Sequence, residues 1–312
     1  MVSQILSPTR ATMATNQDLI LITGGSGFLG AEVCHQLITR GQKLVNVSHR
    51  AAPSADVISM QAEIEDIDSL EKIFQSYRFS TIVHMAAMLT TNSNQNPEQA
   101  FKVNVLGSHN LLMLAQKYGV QRFVYSSSYS VLGYDPENER VADESLPPTP
   151  DCYYGHTKSF VEAMGVSYAQ KFGFQFIAGR MGVVVGPGQA LSTSAWRMDI
   201  FNFLKTGGKI GTKFAPQVIL GFSGVEDTAR AMATLTLAEK VQHSIYNLPI
   251  DSLSLQQIAD MVQALRPDIE FTFGSTTNQD MPPLINTNRF TQEFSNFKHV
   301  PLAEALRLYQ SS

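Results

Sequence analysis

Tyr154 and Lys158, in the run Tyr154-Gly155-His156-Thr157-Lys158, stand four positions apart. That spacing puts both on one face of a helix, one turn from each other. A phenol is a poor proton donor or acceptor near neutrality, but a nearby ammonium favours the phenolate and lowers the phenol pKa. The pair is thus equipped for general acid/base work. Tyr153 is adjacent but has no lysine four residues on, which makes it a pocket wall or core residue. Upstream, Thr23-Gly24-Gly25-Ser26-Gly27-Phe28-Leu29-Gly30 reads G-x-x-G-x-x-G at Gly24, Gly27 and Gly30. Between a strand and a helix, such glycines allow a tight turn, close backbone approach to a pyrophosphate, and close helix–strand packing. The helix that begins at Phe28 and Leu29 points its amino end at the phosphates. The triplet alone also marks plain tight corners; a strand before it and a helix after it turn it into a dinucleotide site.

The surrounding pattern supplies those elements. Residues 19–23 form a short apolar run that predicts a buried first strand, and residues 28–39 have helical periodicity, stopping at Gly41. Further strands are expected at 44–47, 57–61, 81–84, 122–126 and 174–178. Helices are expected at 67–75, at 98–118 before Gly119, and at 153–172 before Gly173. Regular alternation of this kind predicts an α/β fold, a Rossmann-type doubly wound parallel sheet. Ligands in such sheets bind beyond the carboxyl ends of the strands. After Gly186 the pattern loosens: helices at 196–205, 227–238 and 255–265, and a polar, proline-containing loop at 280–288. The expected organisation is a disordered tail over 1–17, a dinucleotide-binding domain over 18–180, and a smaller C-terminal substrate lobe over 181–312 with some segments returning to the sheet.

Composition sets the outer limits. The chain has 312 residues, 44 % of them hydrophobic, enough for a sizeable core. Net charge is −4 with no basic run, which argues against nucleic acid. No apolar stretch reaches the roughly 18–20 residues of a membrane span. The two cysteines, Cys34 and Cys152, have neither metal-ligand spacing nor a disulfide framework. A reduced, cytoplasmic setting is the expectation. Residues 1–17 are polar, Ser/Thr-containing, and carry Arg10 with no acid. Transit peptides share that composition, but a disordered start, or a second initiation point at Met13, is the plainer reading.

The end of the second strand bears on cofactor choice. Dinucleotide folds that take NAD place an acid there for the ribose 2′-hydroxyl. Here Ser48 holds the position, followed by His49 and Arg50. A hydroxyl and a guanidinium suit a 2′-phosphate, so NADP is favoured over NAD, the alternative being that Arg50 points to water.

Together these pieces resemble the extended short-chain dehydrogenases/reductases, the family that includes nucleotide-sugar epimerases and dehydratases. The likeness runs over residues 19–247. It is carried by the glycine segment, His84-Met85-Ala86-Ala87, Asn104-Val105-Leu106-Gly107, Ser126-Ser127-Ser128, Tyr154 to Lys158, Arg180, Gly186-Pro187-Gly188 and Val225-Glu226-Asp227. The resemblance implies that Tyr154 is the acid/base, that Lys158 holds the nicotinamide ribose and tunes the phenol, and that Ser128 hydrogen-bonds the reacting oxygen. It places Glu63 and Ile64 against the adenine and lets the cofactor pass over Ala86 and Ala87. Asn104 either touches substrate or braces its helix. Homodimers that pair through the two long helices are common in the family.

Departures from the family narrow the substrate. Val183 stands where nucleotide-sugar members carry an asparagine, and Leu220-Gly221-Phe222 where they tend to have Arg-Asp-aromatic. The missing arginine removes a diphosphate clamp. Tyr129-Ser130 replaces the Asp-Glu of dehydratases, and a decarboxylase-type glutamate is also absent. Cys152 and Trp196 are further candidates for the pocket, with Arg197 beside it, although a lone Trp is more often packing. His84 and His156 read as ordinary hydrogen-bonded histidines. The reading is an NAD(P)-dependent reductase or dehydrogenase acting on a small carbonyl or hydroxyl compound, sugar-like ones included, with no metal. The alternatives are an NAD-dependent sugar epimerase and, in another class, an NADP-sensing regulatory protein, which would need no Ser/Tyr/Lys set.

Overall fold

The computed structural model describes residues 19–51, 54–134, 141–188, 195–277 and 281–312. The tail expected at 1–17, and Asp280 at the start of the expected loop, lie outside them. Along the chain come β1 (Leu19–Thr23), α1 (Phe28–Ile38), β2 (Leu44–Val47), β3 (Val57–Met60), α2 (Ile67–Ser76), β4 (Phe79–His84), α3 (Thr90–Gln95), α4 (Pro97–Ala100), a π-helical segment (Phe101–Gly107) and α5 (Ser108–Tyr118). Then follow β5 (Arg122–Ser128), a 3-10 turn (Tyr129–Val131), α6 (Tyr153–Phe172), β6 (Gln175–Met181), β7 (Val183–Val185), α7 (Trp196–Thr206), β8 (Lys209–Gly211) and β9 (Ile219–Gly224). The chain ends with α8 (Val225–Leu237), β10 (Ile245–Asn247), β11 (Asp251–Ser254), α9 (Leu255–Leu265), β12 (Glu270–Thr272), α10 (Asn288–Glu293) and α11 (Leu302–Ser311).

Seven strands form the main sheet in the order β10-β6-β5-β4-β1-β2-β3, every neighbouring pair parallel. Alternation along β1 explains why its residues are apolar throughout. Leu21 joins the core under α2, α5 and α6, while Ile20 and Ile22 join the opposite core under α1, α8 and α10. A strand covered on both faces reads as a continuous hydrophobic run. The order reverses between β1 and β4, and the crevice at that switch point is where such sheets bind ligands. Thr23 and His84 end the two strands there.

The C-terminal lobe has a core of its own, built from α7, α9 and α11 around the three-stranded sheet β11-β9-β7. β8 and β12 pair in parallel beside it. α9 starts after Ser254 because a reciprocal capping box with Gln257 fixes its first turn. The helix expected over 98–118 is interrupted by the π segment. Ser108 Oγ donates to the Asn104 carbonyl at 2.6 Å within that wider turn. π-helical turns concentrate at functional sites.

Candidate active site

The glycine turn is sterically forced. Gly24 has φ +71°, and a Cβ there would lie 2.8 Å from the Ala86 nitrogen at the end of β4. A Cβ at Gly30 would lie 2.1 Å from the Gly24 carbonyl, so only glycine lets α1 approach the turn this closely. Gly27 precedes α1 with extended backbone and no side-chain cap, and the first turn has no acid. The N–H groups of Phe28, Leu29 and Gly30 therefore head a positive helix end suited to phosphate. Sequence reasoning missed Gly25 and Asn46. The Gly25 N–H donates to Asn46 Oδ1 at 2.8 Å, and a Cβ at Gly25 would sit 2.6 Å from that oxygen. An asparagine inside the apolar run Leu44–Val47, fully buried, was the signal.

Asn46 Nδ2 donates to Ser26 Oγ at 3.0 Å, and Ser26 Oγ donates to the Arg50 carbonyl at 2.7 Å. The Arg50 guanidinium in turn reaches the Ser26 carbonyl at 3.4 Å. Arg50 thus lies against the glycine turn. Ser48 is half-buried, its N–H on the Met60 carbonyl at 3.2 Å. His49 Nδ1 pairs with Glu63 Oε1 at 2.9 Å on an exposed rim. Ile64 is buried and packs where Gly107 has no side chain. Ala86 and Ala87 are half-buried. The residues fit a dinucleotide: a turn closed to side chains, an uncapped helix start, and small residues beside it.

α6 brings Tyr154 and Lys158 to the same edge. Cys152 caps it, its sulfur accepting from the Gly155 N–H at 3.4 Å. That is a structural task for a residue that the sequence offered as a candidate for the pocket. A Cβ at Gly155 would lie 2.2 Å from the Ser130 carbonyl, so glycine permits the first turn of α6 to close on the end of β5. Tyr154 is 8 % exposed and Lys158 1 %. Lys158 Nζ donates to the Ser126 carbonyl at 2.7 Å and lies 4.6 Å from the Tyr125 ring centre and 5.5 Å from that of Tyr154. Burial pushes the ammonium down to about 7, with the Glu162 carboxylate opposing the shift. Ser128 ends β5, its Oγ accepting from the Ser130 N–H and donating to Ser130 Oγ, both at 3.2 Å.

A one-way chain of hydrogen bonds ties the two halves together. Ser108 spends its proton on the Asn104 carbonyl, so its oxygen accepts from His84 Nε2 at 2.8 Å. His84 Nδ1 then accepts from Thr23 Oγ1 at 2.7 Å, and that oxygen accepts from the Ala86 N–H at 3.3 Å. This network assigns the Nε2–H tautomer. Burial, with the Lys158 charge adding to it, pushes His84 down to about 3, so the ring is neutral. Asn104 accepts from the Met88 N–H at 2.7 Å and donates to the Met88 carbonyl at 3.0 Å and to Thr157 Oγ1 at 3.1 Å. Thr157 Oγ1 donates to the Tyr154 carbonyl at 2.7 Å. Asn104 is 1 % exposed; of the two roles expected for it, these bonds are the bracing one.

Of the residues expected to face substrate, Val183 is buried in β7 and pairs with Phe222. Trp196 packs edge-on to Phe222, 6.2 Å between ring centres, within the core of the C-terminal lobe. Leu220 and Phe222 are buried in β9. Arg197, in the first turn of α7, has its pKa lowered by burial, while Tyr154 acts to raise it. Among the described residues no group of three or more His, Cys, Asp or Glu side chains could hold a metal ion. Nor is any described helix long and apolar enough to cross a membrane.

Comparison with known proteins agrees with this geometry. L-threonine 3-dehydrogenase, mitochondrial, from Bos taurus is 27 % identical over 275 residues, covering 83 % of this chain and 71 % of that protein. UDP-glucose 4-epimerase from Halalkalibacterium halodurans is 30 % identical over 163 residues, 51 % of this chain and only about half (48 %) of that protein's length. The crystal structure of L-threonine dehydrogenase from Phytophthora infestans superposes with a TM-score of 0.84 at 25 % identity, over 94 % of this chain and 97 % of that one. The model of the NAD dependent epimerase/dehydratase family matches residues 20–248. From the glycine turn of β1 to the last strand of the main sheet, the chain belongs to the NAD dependent epimerase/dehydratase family.

Proposed function

We propose that the protein is an NAD(P)-dependent oxidoreductase that interconverts a small hydroxyl compound and its carbonyl. The observation that carries the reading is the buried Tyr154–Lys158 pair at the carboxyl end of β5, beside a glycine turn closed to side chains. A nicotinamide dinucleotide held by the glycine turn, the start of α1, Arg50 and Lys158 supplies the hydride acceptor or donor. Tyr154 takes the proton from the substrate hydroxyl or returns it to the carbonyl. Lys158 favours the phenolate. Ser128 hydrogen-bonds the reacting oxygen and steadies the charge that develops on it.

The substrate is small and carries at most one negative charge. Buried Leu220 and Phe222 leave no diphosphate clamp in β9, while Arg197, which interacts electrostatically with Tyr154, offers one positive charge. Relatives that match most of the chain are named L-threonine 3-dehydrogenases, which makes β-hydroxy acids of that size the first class to try. The second reading is sugar epimerisation, favoured by the relative at 30 % identity. It uses the same residues with no net redox change. Incubation with L-threonine or with UDP-galactose, each with NAD or NADP, separates the two: net formation of reduced cofactor supports the first, sugar inversion without it the second.

NADP is the favoured cofactor. Ser48 replaces an acid and Arg50 lies against the turn. A 2′-phosphate there gains charge-assisted hydrogen bonds of roughly 1.5–3 kcal/mol each, about ten- to a hundred-fold in affinity. NADPH should bind more tightly than NADH, and Arg50→Ala should remove most of the difference while leaving NADH affinity unchanged. Equal dissociation constants in the wild type would send the choice back to NAD.

A further inference from the structure

α6 presents Tyr154, Lys158 and Glu162 on successive turns, at 8 %, 1 % and 2 % exposure. A carboxylate at that depth must be paired and hydrogen-bonded. Glu162 Oε1 accepts from Ser127 Oγ at 2.5 Å and from Arg180 Nε at 2.9 Å, and Oε2 accepts from Arg180 Nη2 at 2.7 Å. The Arg180 fork is bidentate, the geometry that fixes a carboxylate most firmly. Arg180 is opposite Ser127 in the register of β6 on β5. Ser127 itself stands between Ser126, whose carbonyl takes Lys158 Nζ, and Ser128.

We propose that Glu162 is a positioning residue: clamped by Arg180, its carboxylate pins the Ser126–Ser128 strand end and supplies the fixed negative charge, one turn beyond Lys158, that keeps this buried lysine an ammonium. The titratable and charged groups around the lysine are His84 on β4, Tyr125 on β5, and Tyr154 and Glu162 on α6. His84 is neutral, and burial raises the Tyr125 phenol well above its usual value, so neither offers a charge near neutral pH. Glu162 is the charge that opposes the effect of burial on Lys158. Arg180 on β6 holds Glu162 through its bidentate bonds, and its own positive charge works against that of the carboxylate.

The proposal rests on Lys158 being the partner of Tyr154, but its test needs no substrate. The full-length protein, labelled with 13C at lysine Cε, is titrated by NMR, with the Lys158 signal assigned by its loss in Lys158→Met. In Glu162→Gln the Lys158 midpoint should fall by about one unit or more, the size expected for loss of a nearby opposite charge. Glu162→Asp should restore it at least in part. If Glu162→Gln leaves Arg180 unpaired and does not fold, the double variant Glu162→Gln/Arg180→Met removes both charges and should show a smaller fall in the same direction. A Lys158 midpoint that stays in place in the folded variants would overturn the proposal and leave Glu162–Arg180 as a structural ion pair. If the midpoint falls and no redox turnover is found with any substrate, the positioning stands and the oxidoreductase reading fails.

Discussion

At the scale of single residues, the account turns on a lysine held in the interior. Lys158 has its ammonium on the Ser126 carbonyl and its pKa pushed down to about 7 by burial. Replacing it by Ala should weaken dinucleotide binding and move the pH–rate profile alkaline, because the phenol loses its cationic neighbour. An unmoved profile would reduce the lysine to a structural role. Tyr154 and Lys158 were legible in the sequence because helix geometry alone puts positions four apart on one face. Asn46, Gly25 and Glu162 were not. Their partners lie 18 to 35 residues away in places that only the folded sheet brings together, as with Gly25 on Asn46, Arg180 on Glu162 and Ser127 on Glu162. Cys152, singled out because it lies just before the helix of Tyr154, also has a task that the sequence did not show: its sulfur caps α6.

At the scale of elements, β1 to β6 and α1, α2, α6, α7 and α9 could be read from periodicity and glycine stops. β7, β8, β10 and β12 have three residues each, too short to show a period, and exist through partners far along the chain, as β10 does on β6. The π segment was hidden because Asn104 and Ser108 draw the helix inward through bonds to distant residues. The C-terminal elements are tied down by a clasp that has a pH signature. His299 Nδ1 pairs with Asp227 Oδ2 of α8 at 2.6 Å, and its Nε2 with Asp251 Oδ1 of β11 at 3.2 Å. Burial works against its charge, but the hydrogen bonds to the two carboxylates outweigh it and push the ring up to about 9. The folded value is above the unfolded value of about 6.5. The clasp is therefore at full strength below about pH 6.5 and is lost as pH rises through about 9, on the order of 2–3 kcal/mol. Denaturation midpoints should fall across that window, and His299→Gln should flatten the fall. A wild-type curve without the fall would mean that the imidazole is not charged there.

At the scale of the whole molecule, the neighbouring helices α5 and α6 and the π segment carry exposed apolar side chains. Phe101, Leu106 and Met113, along the π segment and α5, and Phe160 on α6 are 51 %, 39 %, 38 % and 56 % exposed. A two-fold pairing through this face would bury them, and closed two-fold dimers are the commonest oligomers. Light scattering should give a dimer mass at micromolar concentration and a monomer mass for Phe160→Glu; a wild-type monomer would remove the proposal. The proposed function assigns proton transfer to the phenol of Tyr154. The most direct test is hydride transfer by the wild type and by Tyr154→Phe, followed by nicotinamide absorbance with L-threonine and a panel of small hydroxyl and carbonyl compounds, with dinucleotide affinity measured on both proteins. The account predicts turnover lowered by about 10²- to 10⁴-fold at unchanged cofactor affinity. Turnover by Tyr154→Phe equal to the wild type would contradict it.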